Sequence, residues 1–455
     1  MSDATEDLEH EVEASRARLD RTLDSLQARL NVSRLAEDLV GPNAPGPALN
    51  AGARRLLDGA RENLLPTLLV GAGLGFLLYD ALRQEAERRR LRVVPGAPRT
   101  YARYADGLER RAADEDEVIA RIIATMREEG RITRERYGRA VRTSHAKSHG
   151  LAEGTLHVLD GLPPELRQGL FAEPRTYPVI ARFSHVPGEY LDDRKVSAPR
   201  GLSLKIFGVE GERLPGHEGE TTQDFILDTG TTFPAADAKA FLATIGALRR
   251  ATPAPVAVKQ AVSAGARAAN AVLNAVGLGS ATLDFFGHPP YHPLAEAYYS
   301  QTPLRYGAYV AKLAVRPATE GLRALIGRTI DLSGDENALR HAVTDYLTTH
   351  PVAYEVAVQL CTDPARMPIE DASREWPEAE SPYRPVARLI LPAQDSQGRI
   401  GKEEDLAFCP SHTLAAHRPL GSINRARLRA YEAMGTLRRQ ENGRSTAEPR
   451  TVAEI

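Results

Sequence analysis

Cysteine is scarce in this chain, with only Cys361 and Cys409 among 455 residues. Two thiols exclude the multi-disulfide framework of small secreted domains and a four-thiolate zinc site. They allow one bridge at most, and a reduced, buried pair is the expectation. Tryptophan occurs once, and aromatic residues make up 6% of the chain. Neither charge sign dominates: 58 Lys+Arg stand against 60 Asp+Glu, a formal charge of -2. That balance removes the basic field a nucleic-acid partner would need. There is no internal repeat of roughly 20 to 50 residues and no His-Glu-x-x-His metal helix. What remains is a globular composition, 42% hydrophobic and 26% charged. At about 150 residues per domain the length favours two or three domains, with a large β-barrel enzyme as the exception.

The chain changes texture three times. Residues 1–45 are expected to form an amphipathic helical arm. Leu8, Val12, Leu19, Leu23, Leu26 and Leu30 follow three-and-four spacing, with Ser15 filling the one gap. So narrow an apolar stripe suits a coiled-coil partner or a solvated arm. Gly41 to Pro47 reads as a linker. Residues 46–95 hold that linker and a membrane-helix candidate over 64–82. Its uncharged run from Leu64 to Tyr79 is about 16 residues, at the short edge of a span, and Asp80 interrupts the extension. Gly71 and Gly75 provide small-xxx-small spacing. Arg83, Arg88, Arg89, Arg90 and Arg92 outnumber Arg54, Arg55 and Arg61, which puts the later residues on the cytoplasmic side. A buried helix in a soluble cytoplasmic protein is the alternative. Gly71-x-Gly73-x-Gly75 lacks the strand-turn-helix context of a dinucleotide loop.

Residues 96–440 alternate short strands and helices, an α+β pattern. Strands are expected at Val179–Ser184, Gly201–Phe207, Asp224–Leu227, Tyr306–Val315 and Arg388–Leu391. Helices are expected near Ala235–Arg249, Val256–Val276 and Ala338–Thr349. Strands far apart in sequence with helical insertions imply one antiparallel β-barrel. The polar residues 441–455 read as a disordered tail.

Two segments stand out chemically. Arg142-Thr-Ser-His145-Ala-Lys-Ser-His-Gly150 precedes the strands, and Pro419 to Arg438 lies near the C-terminus. If the latter is helical, Arg427 and Tyr431 are i,i+4 neighbours. A guanidinium there favours phenolate, a hard anionic ligand for ferric iron. A basic helix that merely carries one tyrosine is the plain alternative. The Pro-rich Gly287–His292 stretch reads as a loop, and neither Ser184-His185 nor Ser411-His412 has the elbow of a serine hydrolase.

Taken in order, several stretches resemble the haem catalase superfamily, in its shorter catalase-related peroxidase branch. Arg142-x-x-His145-Ala-Lys-x-x-Gly150 resembles the distal-histidine segment. Pro178-Val-Ile-Ala-Arg182-Phe-Ser184-x-Val-x-Gly188-Glu189 and Ala198-Pro-Arg-Gly201-Leu-Ser-Leu-Lys205-Ile-Phe207 resemble the strands after it. Glu370-Asp-x-x-x-Glu-Trp376-Pro, followed by Tyr383 to Leu391, resembles the barrel exit. Ala407-Phe-Cys-Pro410 then precedes Arg427-x-x-x-Tyr431, which is similar to the proximal ligand motif. The matches run over about residues 97 to 440.

This resemblance implies a catalase-like antiparallel barrel with helical insertions and a C-terminal helix. It implies haem b held by Tyr431 as axial iron ligand, with Arg427 as its charge partner. His145 becomes the distal acid/base, oriented by Ser184, and Arg142, Arg182 and Arg438 meet the haem propionates. The partners implied are a peroxide and an electron donor, with homo-oligomeric assembly and no nucleic acid.

Departures shape the function expected. Thr221 falls nearest the family's peroxide-orienting asparagine, with Asp228 as a rival position. Alanine replaces a haem-stacking phenylalanine in Thr231–Ala236, and Glu-Ala-Met follows Tyr431 in place of Pro-Asp-Thr. The expectation is a haem peroxidase acting on hydrogen peroxide or on organic or lipid hydroperoxides, with weak or no catalase activity. A haem-binding or sensing protein without turnover, and a hydroperoxide-rearranging enzyme, are the alternatives. The N-terminal helix and apolar segment resemble a domain of unknown function from bacterial membrane-associated proteins. Association with a bacterial inner membrane is therefore expected, the haem domain facing the cytoplasm.

Overall fold

Alternation decides which side of each strand meets the core. In β3 (Arg200–Phe207), Leu202, Leu204 and Ile206 join the main apolar cluster, while Gly201, Ser203 and Lys205 face the other way. β2 (Thr176–His185) behaves alike, with Val179, Ala181 and Phe183 inward and Arg182 and Ser184 outward. All eight residues of β3 are nonetheless buried, because helices and loops cover the barrel's outer face there. The polar outward residues are thus held in protein rather than water.

The structure is a computed structural model that describes residues 100–251, 263, 266–267, 287–445 and 447–455. The expected arm (1–45), the linker with its membrane helix (46–95) and nearly all of the expected helix over Val256–Val276 lie outside the described residues. Among the described residues, no helix is long and apolar enough to cross a membrane.

The remaining strands are β1 (Ser148–Val158), β4 (Thr222–Thr229), β5 (Tyr298–Tyr299), β6 (Leu304–Tyr306), β7 (Tyr309–Pro317), β8 (Val352–Leu360) and β9 (Arg384–Leu391). All pairings are antiparallel. β1 pairs with both β2 and β9, and the short β5 bridges β4 to β7, so the sheet closes. The expected antiparallel barrel is therefore present, and closure removes its free edges. Its interior is filled by residues such as Phe171, Phe183, Tyr298, Tyr306 and Tyr354, each fully or almost fully buried.

Four helices of eight residues or more are described: α1 (Glu115–Tyr137), α2 (Ala238–Ala251), α3 (Ala338–Thr349) and α4 (Ser422–Glu441). α3 has the expected bounds. β1, β8 and α1 were not among the expected elements. Val118, Ile119 and Ile122 of α1 pack with Ala238 and Ile245 of α2 and Ala426 of α4. Burying each such isoleucine is worth about 1.5–3 kcal/mol.

The N-terminus of α4 is fixed by carboxylates. Gly421 N–H donates to Glu109 and Ser422 N–H to Glu370, while Arg425 pairs with Glu109, Glu115 and Glu370. Gly421 has φ +87°, and a Cβ there would fall 2.2 Å from the Ile369 carbonyl oxygen, so this entry turn requires glycine. At the other end, the Asn442 side chain makes two hydrogen bonds with the Ala140 backbone. The tail expected to be disordered contributes contacts instead: Glu448 pairs with Lys205, and Val452 and Ile455 pack against a buried cluster.

Both cysteines are free and buried, and burial pushes each thiol up to about 12.

Candidate functional site

On the barrel's outer face over β2, β3 and β4, a narrow cavity opens under α4. It measures about 570 Å³ when the open solvent at its mouth is included. One wall comes from Arg142 to His145 with Arg182 and Ser203. The other comes from Ala407, Phe408 and the α4 face of Ala430, Tyr431, Met434, Gly435 and Arg438. Tyr431 and Arg438 are seven residues apart, two helical turns, so both reach the cavity.

His145 occupies a strained backbone position, with φ +57°. Its N–H bonds the Val186 carbonyl at 2.8 Å, and Arg182 Nη2 donates to its carbonyl at 2.8 Å. These bonds offset a conformation that costs about 1–3 kcal/mol. Ser184 Oγ lies 3.2 Å from His145 Nδ1. Gly201 stands opposite, and a Cβ there would fall 2.5 Å from that same Nδ1. Burial, then the charges of Arg182, His185, Arg427 and Arg142, hold the His145 pKa well below its usual value. The imidazole is therefore neutral near pH 7 and able to accept a proton.

Asp228 faces this histidine, with Oδ1 3.6 Å from His145 Nε2. Burial raises its carboxyl to about 7, against the opposing pull of Arg427. Thr221, expected in this role, lies outside the site. It precedes β4, seven residues before Asp228 and roughly 23 Å away along an extended strand. Antiparallel pairing sets Asp228 across from Gly201, which brings the carboxylate to the histidine. Behind them, His149 and His185 pack edge to face, 6.0 Å between ring centroids. Their ring nitrogens are buried without hydrogen-bond partners among the described residues.

Tyr431 keeps part of its surface toward the cavity, while its phenol is deep in protein. The expected helix is present, and the Arg427 guanidinium carbon lies 5.5 Å from the Tyr431 ring centroid. The expected lowering of the phenol pKa is not met. Burial raises it and outweighs the downward pull of Arg427. Arg427 itself bonds Thr302, Asn424 and the Ile226 carbonyl.

The three expected arginines gather around residues 403–406. Arg182 Nε donates to Glu403 Oε2 at 2.6 Å, and Arg142 Nη1 lies 3.7 Å from Glu403 Oε1. Arg142 and Arg438 both donate to the Leu406 carbonyl. Burial disfavours the Glu403 carboxylate, yet Arg182 and Arg142 hold its pKa below the usual range. Three guanidiniums thus converge on this segment, two of them beside the Glu403 carboxylate. Glu403 was not anticipated from the sequence, since no local pattern marks a glutamate that must cross to two distant arginines.

A family model described as a protein of unknown function, DUF3618, matches residues 2–41. No curated protein matches the chain. Among solved structures, the chain is similar to a fungal catalase at 18% identity and a TM-score of 0.49, covering 77% of this chain and 68% of that one. It is similar to a bacterial catalase at 16% identity and a TM-score of 0.48, with coverages of 80% and 71%. Catalase A from Saccharomyces cerevisiae is also similar, at 16% identity, a TM-score of 0.45 and coverages of 76% and 68%.

Proposed function

We propose that the chain is a catalase-like haem protein that handles peroxides, with haem held between His145 and Tyr431, and that it acts as a peroxidase. One arrangement carries this reading: a neutral, backbone-strained His145 and a deep Tyr431 line the same cavity as Arg142, Arg182 and Arg438. The residues fit the group. Tyr431 Oη offers the hard oxygen donor that ferric haem accepts, and Arg142, Arg182 and Arg438 suit its two propionates.

Haem, when bound, supplies the iron at which a peroxide O–O bond is broken. His145 Nε2 would take a proton from one peroxide oxygen and return it to the other as it departs, so no net proton is consumed in cleavage. Nδ1–H donation to Ser184 Oγ holds the ring and leaves Nε2 as the acceptor. Asp228 is a second proton-holding group beside the same nitrogen. A carboxyl that ionises near neutrality is a poorer fixed donor toward peroxide than an amide. Fast dismutation is therefore not expected. An external reductant and an organic or lipid hydroperoxide are the proposed substrates.

The first test is the absorption spectrum of haem-supplemented protein beside Tyr431→Phe. The expected result is stoichiometric haem with a spectrum altered or lost in the variant. A spectrum indifferent to Tyr431, or no haem uptake, overturns the reading. His145→Ala should keep haem and lose about 10²–10⁴ in turnover. A second reading, reversible haem binding without turnover, draws on Glu403, which competes for the arginines. An intact His145 chain with haem but no peroxidase rate would favour it. We also propose residues 64–82 as an inner-membrane anchor, checked by fractionating the full chain against one lacking residues 1–95.

A further inference from the structure

Away from the cavity, a second group of titratable side chains converges. His217 and Glu220 sit three residues apart before β4, and His412 lies in the segment leading to α4. His217 Nδ1 is 2.8 Å from Glu220 Oε1, and His412 Nε2 is 3.9 Å from the same oxygen. All three donor atoms fall within 4.8 Å of one another. Ligands held at roughly 2.0–2.2 Å around a tetrahedral dication stand about 3.3 Å apart. The two observed separations straddle that value, each about half an ångström from it, so small side-chain rotations close those two.

Each imidazole has a carboxylate behind it. His412 Nδ1 lies 3.1 Å from Asp224 Oδ2, and His217 Nε2 lies 3.0 Å from Glu432 Oε1. This outer support fixes the tautomer of a ligating histidine and strengthens its inward nitrogen as a donor. Independently, Glu220 Oε2 is buried with no hydrogen-bond partner among the described residues. A buried carboxylate oxygen is costly until a cation or a donor meets it.

The adjoining acidic group already holds a cation. The fully buried Lys205 ammonium bonds both oxygens of Asp224 at 2.8 Å and also bonds Glu448. Lys205 thus takes the place a metal would hold among Asp224, His412 and Glu448. His217, Glu220 and the Nε2 side of His412 are left facing one another. The backbone is firm here, since Asp224 N–H donates to the His412 carbonyl at 2.7 Å and Cys409 N–H to Asp224 Oδ2 at 2.9 Å. Glu432 keeps 47% of its side chain exposed and marks an entry path.

We propose that His217, Glu220 and His412 form a binding site for a divalent transition metal, zinc first. Two imidazoles and one carboxylate are a nitrogen–oxygen set that zinc takes with three protein ligands, keeping its fourth position for water. On binding, the proton shared by His217 Nδ1 and Glu220 Oε1 passes to solvent and the metal takes its place, with no change of oxidation state. The metal ties the turn before β4 to the His412 segment and, through Glu432, to the helix that carries Tyr431. None of the three ligands lines the cavity of His145 and Tyr431.

The test titrates chelator-stripped full-length protein with Zn²⁺ against a chromophoric chelator, and with Co²⁺ for its ligand-field bands. One equivalent per chain is expected. His217→Ala and His412→Ala should each weaken binding at least 100-fold and abolish the cobalt bands. Glu432→Gln should weaken it about tenfold as an outer-shell change, and Glu448→Gln less than threefold. His412 is buried, so its variant counts only if circular dichroism matches the parent. His217 is at the rim, and Glu220→Gln substitutes for it if needed. Absence of stoichiometric uptake by the parent, or uptake that His217→Ala and Glu220→Gln leave unchanged, overturns the proposal.

Discussion

Asp228 Oδ1 stands 3.6 Å from His145 Nε2, and the two groups titrate in opposite directions from their ordinary values. Burial keeps the imidazole neutral and lifts the carboxyl from 3.8 to about 7. Because the folded-state value is the higher one, no penalty applies below about pH 4, where the carboxyl is protonated in both states. The penalty grows as pH rises and is complete above about pH 7. The full gap corresponds to about 4 kcal/mol at 1.36 kcal/mol per unit. With 17% of the side chain exposed, about 1–3 kcal/mol is the expectation. Asp228→Asn should therefore match the parent in urea unfolding near pH 4 and exceed it by that amount near pH 8. It should also flatten any fall in peroxidase rate across pH 7, since His145 titrates well below that range.

Gly201 sets how close His145 can come to the barrel. A Cβ at this position would lie 2.5 Å from His145 Nδ1, 2.6 Å from its Cε1 and 3.0 Å from Asp228 Oδ1. Gly201→Ala should leave β3 intact, because alanine suits a strand interior no worse than glycine. The ring must then move and give up its bond to Ser184. Haem uptake should persist while peroxide turnover falls about 10–100-fold, a partial loss of the roughly 10²–10⁴ that acid–base catalysis contributes. Steady-state kinetics at matched haem content would check it, and an unchanged rate would remove His145 from the mechanism.

The local part of this site was legible, and the long-range part was not. His145, Ser184, Arg182, Tyr431 and Arg438 stand within ordered motifs, and the structure brings all five to one cavity or its wall. Thr221 fails for a reason of register. Counting residues from a turn motif ignores that strand pairing, here Gly201 with Asp228, decides which side chain reaches the histidine. Barrel closure rests on the two residues of β5, too short for any periodicity to announce. β1 escaped notice because its Ser-His-Gly-Leu-Ala-Glu-Gly sequence has little β-branched character. In α1 only one short apolar group, Val118 to Ile122, is buried amid charge.

Lys205 is the polar anchor of the C-terminal tail. It is fully buried on β3, bonded to both oxygens of Asp224 and to Glu448, with its ammonium 5.7 Å from the Phe408 ring centroid. Burial alone would lower its pKa, but Asp224 and Glu448 raise it above the usual value. Its stabilisation is therefore fully present below about pH 10.5 and fades only at higher pH. Lys205→Met strands two carboxylates and should cost about 3–5 kcal/mol at pH 7 by chemical denaturation. Limited proteolysis should then release the tail after Glu441 sooner than in the parent.

Glu403 holds Arg182 and lies beside Arg142, two of the arginines proposed to meet the haem propionates. Its carboxylate is 4% exposed and bonds Arg182 Nε at 2.6 Å, with Arg142 close by. Glu403→Gln keeps an oxygen for Arg182 but removes the negative charge beside Arg182 and Arg142. Without haem the variant should be destabilised by about 1–3 kcal/mol, less than for outright loss of a buried partner. With haem the order should invert, because the propionates then no longer compete with the Glu403 carboxylate for Arg182 and Arg142. Titration of both proteins with haem, read at the Soret band, should give tighter binding for Glu403→Gln by about three- to tenfold, and the thermal shift on haem addition should be larger. Weaker haem binding in the variant would mean that Glu403 positions Arg142 and Arg182 for the cofactor and does not compete with it.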